Sequence, residues 1–373
     1  MKEKLKIAVL IKRFITTGGS ERYAAEITQR LLEKGHDIDL YAKITDNEIA
    51  KGMNIHPVPD KLKFSSVFNS FSFALETARM LRGKTYDIIH SHERGYFQDI
   101  STVHTFSYKE GVSRYSFLKK ILNVWLSPRS RMHLWLEQKQ MDTPWLAPVS
   151  ESVREDIRKH YNRDNNIAVI TPGADVDWFH PQWTADRRAE IRREENIPED
   201  ELAVLFVGTE FRRKGLDYLI PAVGPGMCLM VVGKGERDKH YRNLAAECGV
   251  AEKVHFKGLS DDVRKYFAAA DAVVLPSLSE AFGMSVLEGM ACGLPVVASS
   301  NTGVSDLIEN DVNGFVFNDF SELPGVLNQL KDTEKRKKLG TQARKTAEEY
   351  TWDIAADKYE QLFYQIAGKN PCI

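Results

Sequence analysis

Short apolar runs, each followed by a glycine-bearing turn and a helical pattern, are the feature that most constrains this chain. Lys6–Ile11, Leu202–Val207 and Met227–Val232 are almost wholly apolar, as is typical of strands buried on both faces of a parallel sheet. Strand, turn and helix repeated in this order predict an α/β, doubly wound fold. The pattern recurs in both halves of the 373 residues, too long a chain for one ordinary core. We therefore expect two Rossmann-like domains.

The boundary between these domains is predicted where a strand, a Pro-Gly pair and two acidic residues coincide, from Val169 to Asp177. We assign 1–168 to the N-terminal domain and 169–352 to the C-terminal domain, and we expect the amphipathic helix 353–367 to pack back onto the first domain. Asp175 and Asp177 form a DxD triplet, which holds a divalent metal in some sugar-nucleotide enzymes. Because the triplet follows Pro-Gly, the turn interpretation is favoured.

Composition excludes several classes of protein. The formal net charge is −1, with 43% apolar and 28% charged residues, so no global attraction to nucleic acid or to an anionic membrane is expected. The apolar runs are too short for a transmembrane helix. The four cysteines form no CxxC pair, and no zinc spacing occurs. We expect Cys228 and Cys292 to be buried reduced thiols in a cytoplasmic protein.

The stretch from Ser277 to Ala298 predicts an anion site. Gly283 lies in a loop that runs into a helical pattern, and the start of a helix offers free amide groups and the positive end of the dipole. Two carboxylates flank this loop, Glu280 before it and Glu288 on the helix. The combination favours a phosphorylated ligand with hydroxyl groups that donate hydrogen bonds to the two carboxylates.

Two other strand ends carry candidate ligand-binding groups. Arg212, Arg213 and Lys214 follow the strand Leu202–Val207, where three cations suit a diphosphate; the alternative is a plain basic surface loop. His104 follows a predicted strand as a candidate base or sugar contact, or as a histidine satisfied by the backbone. His90 and His92 give a weaker form of the same signal.

The first strand is followed by Gly18-Gly19 and not by a dinucleotide fingerprint. The glycines form either a tight turn or a close approach to a ligand, and their place at the carboxyl end of a strand favours the second interpretation. Asp39 stands where a dehydrogenase keeps its ribose-binding acid. Without GxGxxG we interpret it as a solvated aspartate at a strand end.

Residues 108–140 contain seven basic and two acidic residues, a local formal charge of +5. Aromatic residues are interleaved with these charges, and Phe117, Ile121 and Trp125 share one helical stripe. Such a segment can lie in a membrane interface, or it can be a core helix with a solvated basic face; the sequence leaves both open. The candidates for membrane contact are Lys119, Lys120, Trp125, Arg129, Arg131 and Trp135.

Glu280 and Glu288, separated by seven residues, together with Phe282-Gly283 and the block Ala291–Ala298, resemble the E-x7-E signature of the family-four retaining glycosyltransferases. The resemblance extends over nearly the whole chain. It implies a GT-B fold, in which two Rossmann-like domains face each other across a cleft. It also implies a nucleotide-sugar donor bound mainly by the second domain, with no cofactor and no metal.

The resemblance implies roles for individual residues. Glu280 would bind hydroxyl groups of the donor sugar and Glu288 the ribose, while Arg213 and Lys214 would neutralise the departing diphosphate. Many family members carry arginine directly after the glycine aligned with Gly208, but this chain has Thr209, so Arg212 or Arg213 must supply that cation. The remaining residues implied to contact the donor are Gly18, Gly19, His104, Gly258, Leu259, Phe282, Gly283, Met284 and Ser285.

Within that family, Leu126–Arg131 with Glu137 looks like the lipopolysaccharide core glucosyltransferases. That likeness implies transfer of glucose from UDP-glucose to a glycan or glycolipid such as core heptose. We expect the protein to be a cytoplasmic monomer that contacts the inner face of the membrane and does not bind nucleic acid. Retention by a front-face displacement is our hypothesis. The alternatives are a transferase of mannose or another hexose, a sugar-nucleotide 2-epimerase, and a non-catalytic sugar-nucleotide-binding module.

Overall fold

The computed structural model of the chain describes residues 3–61, 65–113, 116 and 121–369. Its contacts divide the chain into two compact units. The first comprises Met1–Thr171 and Trp352–Ile373, and the second is Pro172–Thr351. The crossing into the second unit lies three residues after the predicted boundary at 168/169, and the C-terminal helix belongs to the first unit.

The first unit is built on a six-stranded parallel sheet with the strand order β5-β3-β1-β6-β7-β8. A separate parallel pair, β2 and β4, lies beside it. The strands are β1 Lys6–Leu10, β2 Arg13–Phe14, β3 Asp37–Ala42, β4 Ile44–Thr45, β5 Asn54–Pro57, β6 Ile88–Ser91, β7 Ile100–Val103 and β8 Trp145–Pro148.

Helices follow the strands of this unit in the order expected of a doubly wound fold. They are α1 Gly19–Glu33, α2 Ser66–Leu81, α3 Tyr108–Ser113, a π-helix Ile121–Trp125, α4 Pro128–Met141 and α5 Glu151–Tyr161. Helix α5 begins at a capping serine: Ser150 Oγ accepts a hydrogen bond from Val153 N at 3.3 Å and so satisfies a free amide.

The second unit repeats the architecture with a six-stranded parallel sheet in the order β11-β10-β9-β12-β13-β14. Its strands are β9 Leu202–Val207, β10 Met227–Val232, β11 Val254–Gly258, β12 Ala272–Leu275, β13 Val296–Ser299 and β14 Gly314–Phe317. Its helices are α6 Pro181–Glu194, α7 Leu216–Ala222, α8 Asp238–Glu247, α9 Arg264–Ala269, α10 Met284–Ala291, α11 Leu323–Gln329 and α12 Thr333–Glu348, with three short 3₁₀ turns.

The C-terminal helix α13, Trp352–Ala367, packs against α1 in the first unit. Its Trp352, Tyr359 and Phe363 are fully buried, and each such side chain contributes about 2 kcal/mol through apolar burial. Tyr359 is joined by hydrogen bonds to Tyr23 of α1 and Thr102 of β7. The amphipathic pattern that predicted this helix therefore reflects a face that completes the core of the first unit.

Asp39 corrects one sequence-based interpretation. It is 7% exposed and therefore not solvated, and its Oδ2 accepts a hydrogen bond from Tyr86 OH at 2.6 Å. Burial alone would raise the pKa of this carboxyl, but hydrogen bonds from Tyr86, Asn54 and His56 lower it below its ordinary value. Partners from neighbouring strands, which no local pattern reveals, turn a strand-end aspartate into a buried structural one.

Cys228 and Cys292 are buried free thiols, as predicted, whereas Cys248 is exposed; Cys372 lies outside the described residues. Burial raises the pKa of Cys228 to about 11, so this thiol is inert at neutral pH. Among the described residues, no helix has the length and apolar character required to cross a membrane.

Candidate active site

Glu280 lies at the centre of a charged cluster in the second unit. Its Oε2 is 3.1 Å from Arg213 Nη1 and 2.8 Å from Lys214 Nζ. Arg213 also donates to the carbonyl of Ser279 at 2.7 Å and to Glu210 at 2.7 Å. Two of the predicted cations, Arg213 and Lys214, therefore form one cluster with Glu280, the first glutamate of the E-x7-E pattern. Lys214 and Glu280 are 66 residues apart in the sequence.

The electrostatics of this cluster keep Glu280 ionised. Burial would raise the pKa of this carboxyl, but the charges of Lys214 and Arg213 outweigh burial and lower it below its ordinary value. The reciprocal effect holds for Arg213: burial would lower its pKa, and Glu280 with Glu210 raises it. A carboxylate that accepts from two cations is well placed to bind hydroxyl groups but is a poor nucleophile.

Two loops meet to form the cluster, and glycine permits their approach. Gly215 ends the cation loop with φ +79°, and a Cβ added there would lie 1.8 Å from the carbonyl oxygen of Pro276. The amide of Leu278 donates to the carbonyl of Arg213 at 2.8 Å. Only glycine fits a backbone contact this close in the left-handed region.

The glutamate loop then runs into helix α10, as predicted. Gly283 precedes the helix with φ +107°, and a Cβ there would lie 2.9 Å from Leu275 Cδ2. On the other side the loop is held to the segment after β13, since Glu280 N donates to Asn301 O at 3.0 Å and Val304 N donates to Phe282 O at 2.7 Å. The first amides of α10 lack acceptors within the helix, which makes this end a favourable place for an anion.

The other residues predicted to bind the donor differ in exposure. Glu288, in the middle of α10, is 7% exposed, and Phe282 is 4% exposed; Ser285 Oγ donates to the carbonyl of Val207 at 3.4 Å. Met284 is half-buried. Leu259 is 71% exposed, next to the exposed Gly258 at the end of β11. Both flank the same edge of the sheet as the charged cluster, because all six strands are parallel.

Arg212 stands apart from the cluster. It is exposed, and it makes no ion pair within the part of the chain that the structure describes. Of the three predicted cations, Arg213 and Lys214 are the ones that contact Glu280. This distinction depends on the direction of neighbouring side chains along the loop, which the sequence does not specify.

The first unit carries a cluster of histidines at the corresponding edge of its sheet. His92 follows β6 and His104 follows the neighbouring strand β7, and their ring atoms Nδ1 and Nε2 lie 3.1 Å apart. The ring of His90 packs against that of His92, with 4.2 Å between the ring centroids and 47° between the ring planes. Burial lowers the pKa of all three rings, to about 3 for His90 and His104, so each is neutral. His90 and His92, the weaker candidates in the sequence, therefore lie in one cluster with His104.

A cavity of about 360 Å³ opens beside these histidines. Lys12 pairs with Glu93 at 3.0 Å and Lys43 pairs with Asp60 at 2.9 Å on its wall. Such pairs offer donors and acceptors side by side, as the hydroxyl groups of a sugar require. The polar residues lining the cavity are Lys12, Arg13, Ser20, Glu21, Lys43, Asp60, Asn69, His92, Glu93, Arg94, Thr102, His104, Thr105 and Gln140.

Gly18 and Gly19 form the start of α1, and Gly18 has φ +101°. The carboxylate of Glu21 folds back over them: an added Cβ on Gly18 would lie 2.6 Å from Glu21 Oε2. Ser20 Oγ donates to the same oxygen at 2.8 Å. Sequence reasoning missed Glu21, which lies two positions after the second glycine. In this position its negative charge would repel a phosphate group held directly against Gly18.

The basic segment 108–140 is only partly described; Lys119 and Lys120 lie outside the described residues, as does Phe117. Trp125 ends the π-helix and is 73% exposed, Leu126 is 68% exposed and Trp135 of α4 is 43% exposed. Arg129 and Arg131 are also exposed. In contrast, Glu137 is 1% exposed and accepts hydrogen bonds from Tyr108 N at 2.7 Å and from Tyr161 OH. One side of α4 is therefore anchored in the unit and another presents aromatic and basic groups.

One group of described residues has the composition of a metal site: Glu110, Asp156 and His160. His160 Nε2 lies 2.6 Å from Glu110 Oε2, and Asp156 Oδ2 accepts from Ser107 N at 2.7 Å. These groups are satisfied by partners within the protein, so the arrangement is explained as a hydrogen-bonded contact that joins α3 to α5.

Comparisons with known proteins agree with this geometry. The family model described as Glycosyltransferase Family 4 matches residues 17–178, and the model described as Glycosyl transferases group 1 matches residues 187–346. The chain belongs to glycosyltransferase family 4. Its two Rossmann-like sheets are those of the GT-B fold, as the sequence predicted.

Individual relatives of this glycosyltransferase differ in what their names say of them. A D-inositol 3-phosphate glycosyltransferase of Xylanimonas cellulosilytica is 26% identical over 95% of this chain and 93% of its own length. The crystal structure of WaaG, a glycosyltransferase involved in lipopolysaccharide biosynthesis, superposes with a TM-score of 0.83 at 23% identity, covering 96% of this chain and 99% of WaaG. HepE of Anabaena, solved in complex with UDP-glucose, gives 0.75 at 18% identity, covering 97% and 100%.

Proposed function

We propose that this glycosyltransferase moves glucose from UDP-glucose to a glycan or glycolipid with retention of configuration and without a metal. The observation that carries the proposal is the cluster in which Glu280 accepts from both Arg213 and Lys214 beside the start of α10. The two cations would stabilise the leaving diphosphate, and Glu280 would bind hydroxyl groups of the sugar. The complex of HepE with UDP-glucose, a protein of the same fold, supports the choice of donor.

In the proposed reaction, the bond between the anomeric carbon and the diphosphate oxygen breaks while the bond to the acceptor oxygen forms on the same face. The proton of the acceptor hydroxyl goes to the departing diphosphate, which acts as the base. Glu280, ion-paired with two cations, serves in binding and not as a nucleophile. Isolation of a covalent glycosyl-enzyme from a quenched reaction would contradict this mechanism.

A donor screen tests the proposal. Thermal shift and hydrolysis are measured with UDP-, GDP- and ADP-sugars, in the presence and absence of EDTA. We expect UDP-glucose to stabilise the chain most and to release UDP and free glucose without metal. A preference for another nucleotide, or loss of turnover in EDTA, would refute the corresponding part of the proposal. An epimerised sugar in the same donor-only reaction would indicate the 2-epimerase instead.

The role of Glu280 is tested by Glu280→Ala. We expect this variant to bind UDP as the wild type does but to lose the discrimination between UDP-glucose and UDP, since the removed carboxylate binds the sugar and not the nucleotide. Simultaneous loss of UDP binding would show that Glu280 has a different role. Glu334→Ala, a change at an exposed glutamate of α12, is the matched control.

We also propose that the acceptor is reached at an anionic membrane surface through Trp125, Leu126, Arg129, Arg131 and Trp135. Exposed tryptophans suit the membrane interface, and each basic residue near an anionic surface adds about 1 kcal/mol of attraction. Three of these side chains, Trp125, Arg131 and Trp135, line a shallow apolar depression of about 850 Å³ together with Phe71. The lipopolysaccharide role given for WaaG is compatible with such an acceptor.

Flotation with liposomes tests this surface. Replacing Arg129, Arg131 and Lys139 by glutamate should abolish binding to vesicles that contain anionic lipid. The matched control reverses three basic residues of the second unit, Lys331, Lys337 and Lys338, which are all exposed and should leave binding unchanged. Equal binding by both triple variants would refute the membrane role of this segment.

A further inference from the structure

His92 and His104 share a single hydrogen bond whose direction has a chemical consequence. The bond joins His92 Nδ1 to His104 Nε2 at 3.1 Å. Both rings are neutral, because burial lowers their pKa values, so one ring donates and the other accepts. If His92 donates, His104 carries its proton on Nδ1; if His104 donates, its Nδ1 is left bare. The direction therefore decides whether His104 offers a donor or a base.

The second nitrogen of His92 distinguishes the two directions. His92 is 6% exposed, and its Nε2 is buried without a hydrogen-bond partner among the described residues. If His104 donated, His92 would carry its proton on this nitrogen, as a buried N–H with no acceptor. Buried N–H groups without a partner are rare and unfavourable. If His92 donates instead, its proton is on the bonded Nδ1 and only a lone pair is left unsatisfied.

His90 does not supply the missing acceptor, because its own free nitrogen, Nδ1, is also buried without a hydrogen-bond partner among the described residues. His90 Nε2 lies 2.8 Å from Thr102 Oγ1, which lies 2.7 Å from Tyr359 OH. Tyr359 in turn contacts Tyr23 OH at 3.1 Å, and Tyr23 donates to the carbonyl of Ile170 at 2.8 Å. A proton on His90 Nδ1 would be a buried N–H without a partner among the described residues, so the proton lies on Nε2 and is donated to Thr102.

We propose that His92 is a positioning residue that holds His104 with its proton on Nδ1, so that His104 donates a hydrogen bond to a substrate oxygen and does not act as a base. Nδ1 of His104 has no partner within the described part of the chain, and the residue lines the 360 Å³ cavity. The inference rests on the proposed function for the identity of the substrate, a sugar with hydroxyl oxygens. It agrees with a reaction in which the diphosphate takes the acceptor proton.

Nitrogen-15 NMR tests the tautomer directly. The full chain, labelled in its 10 histidines, is studied through long-range nitrogen–proton correlations, with assignments from His104→Asn and His90→Gln. We expect His104 protonated on Nδ1 and His90 protonated on Nε2, two opposite tautomers in neighbouring rings. His104 protonated on Nε2 would overturn the proposal. This experiment needs no substrate, so it judges the tautomer even if UDP-glucose is not turned over and the proposed function fails.

Two variants of similar size test the role of His92. The amide of His92→Asn can still donate near the position of Nδ1, whereas His92→Leu cannot. We expect His92→Leu to lower kcat/KM for UDP-glucose hydrolysis about tenfold, the value of one neutral hydrogen bond, and to release His104 into a mixture of tautomers. His92→Asn should restore the Nδ1 tautomer and most of the rate.

Thermal unfolding separates this role from a purely structural one. If both His92 variants unfold at similar temperatures, their difference in rate and tautomer reports the hydrogen bond. Equal rates for the two variants, or an unchanged His104 tautomer in His92→Leu, would refute the role of His92. If His92→Leu does not fold, the wild-type tautomer and His92→Asn still decide the question.

Discussion

The two units of this glycosyltransferase carry chemically different side chains at the same position of the same topology. In each sheet the fourth strand, β6 or β12, lies beside the first strand of its unit, and a chemistry-bearing loop follows it. After β12 the loop carries Glu280, ionised and paired with two cations. After β6 the chain carries His92, neutral and hydrogen-bonded to another neutral imidazole. The group at this position is therefore a compensated charge in the second unit and a neutral imidazole in the first.

The difference agrees with what each unit is proposed to bind. A diphosphate leaving group gains negative charge, so fixed cations at its site stabilise the transition state. Hydroxyl groups of a sugar require donors and acceptors in fixed directions but no net charge. The fold accommodates both because the end of a buried parallel strand places a side chain at the sheet edge whatever its chemistry.

The largest expected effect concerns the charged cluster. Lys214→Met keeps the aliphatic stem that packs over Gly208 and removes only the ammonium group. We expect kcat for transfer from UDP-glucose to decrease by about 10²–10³-fold, as for loss of one preorganised group that stabilises a developing charge. Steady-state kinetics measure the effect, and Lys337→Met on the exposed surface of α12 is the control. A decrease in kcat below threefold would show that the ammonium group of Lys214 does not stabilise the leaving diphosphate.

A decrease in pH should destabilise the first unit before it destabilises the second. Burial holds the pKa of His90 at about 3, so the unfolded chain binds a proton that the folded chain excludes. The stability of the fold is therefore greatest above the unfolded histidine pKa of about 6.5. As the pH falls from there towards 3, the free energy of unfolding decreases by about 1.4 kcal/mol per pH unit for each such ring. The pKa of Glu280 is lowered, so its contribution is lost only at more acidic pH, below the ordinary carboxyl range.

Hydrogen exchange between pH 6.5 and 4.5 measures this difference. Peptides that contain β6 and β7 should lose protection at a higher pH than peptides that contain β12 and α10. His90→Gln, whose amide can still donate to Thr102, should reduce the slope of stability against pH by about 1.4 kcal/mol per unit. Simultaneous loss of protection in both units, with the slope unchanged in His90→Gln, would show that the histidines do not set the acid response.

A smaller effect is expected from the glycine that opens α10. Gly283→Ala adds a Cβ in the left-handed region and 2.9 Å from Leu275 Cδ2, so we expect a loss of about 2 kcal/mol from backbone strain and crowding. Gly249→Ala has φ +69° with open space around the added atom and should lose about 1 kcal/mol from strain alone. Urea unfolding compares the two, and equal losses would mean that crowding around Gly283 adds nothing to the backbone strain.

The smallest expected effect concerns Arg212. Because it is exposed and does not contact Glu280, we expect Arg212→Met to lower kcat/KM about twofold, through long-range attraction of the diphosphate. This attraction is screened by salt, so the deficit should decrease as ionic strength rises. A loss as large as that of Lys214→Met would show that Arg212 turns towards the diphosphate when the donor binds.

Sequence patterns predicted the regular parts of this molecule well. Strands β9 and β10 have the predicted bounds, Leu202–Val207 and Met227–Val232, because a strand that is buried on both faces appears in the sequence as an unbroken apolar run. Helix α6, Pro181–Glu194, was missed. Half of its residues are charged, so no apolar stripe marks it, and its packing against α9 depends on tertiary contacts.

The amino-acid sequence by itself determined the fold class, the place of the loop that we predict to bind an anion, and the residue types available at each strand end. These follow from local periodicity, glycine positions and the order of elements along the chain. Only the tertiary structure decided which groups pair: that Lys214 and not Arg212 contacts Glu280, that Asp39 is buried, and that Glu21 covers Gly18. It also gave His92 its place as the partner of His104. The physical reason is that hydrogen bonds, burial and pKa shifts depend on distances between side chains that are remote in sequence, and local patterns do not encode those distances.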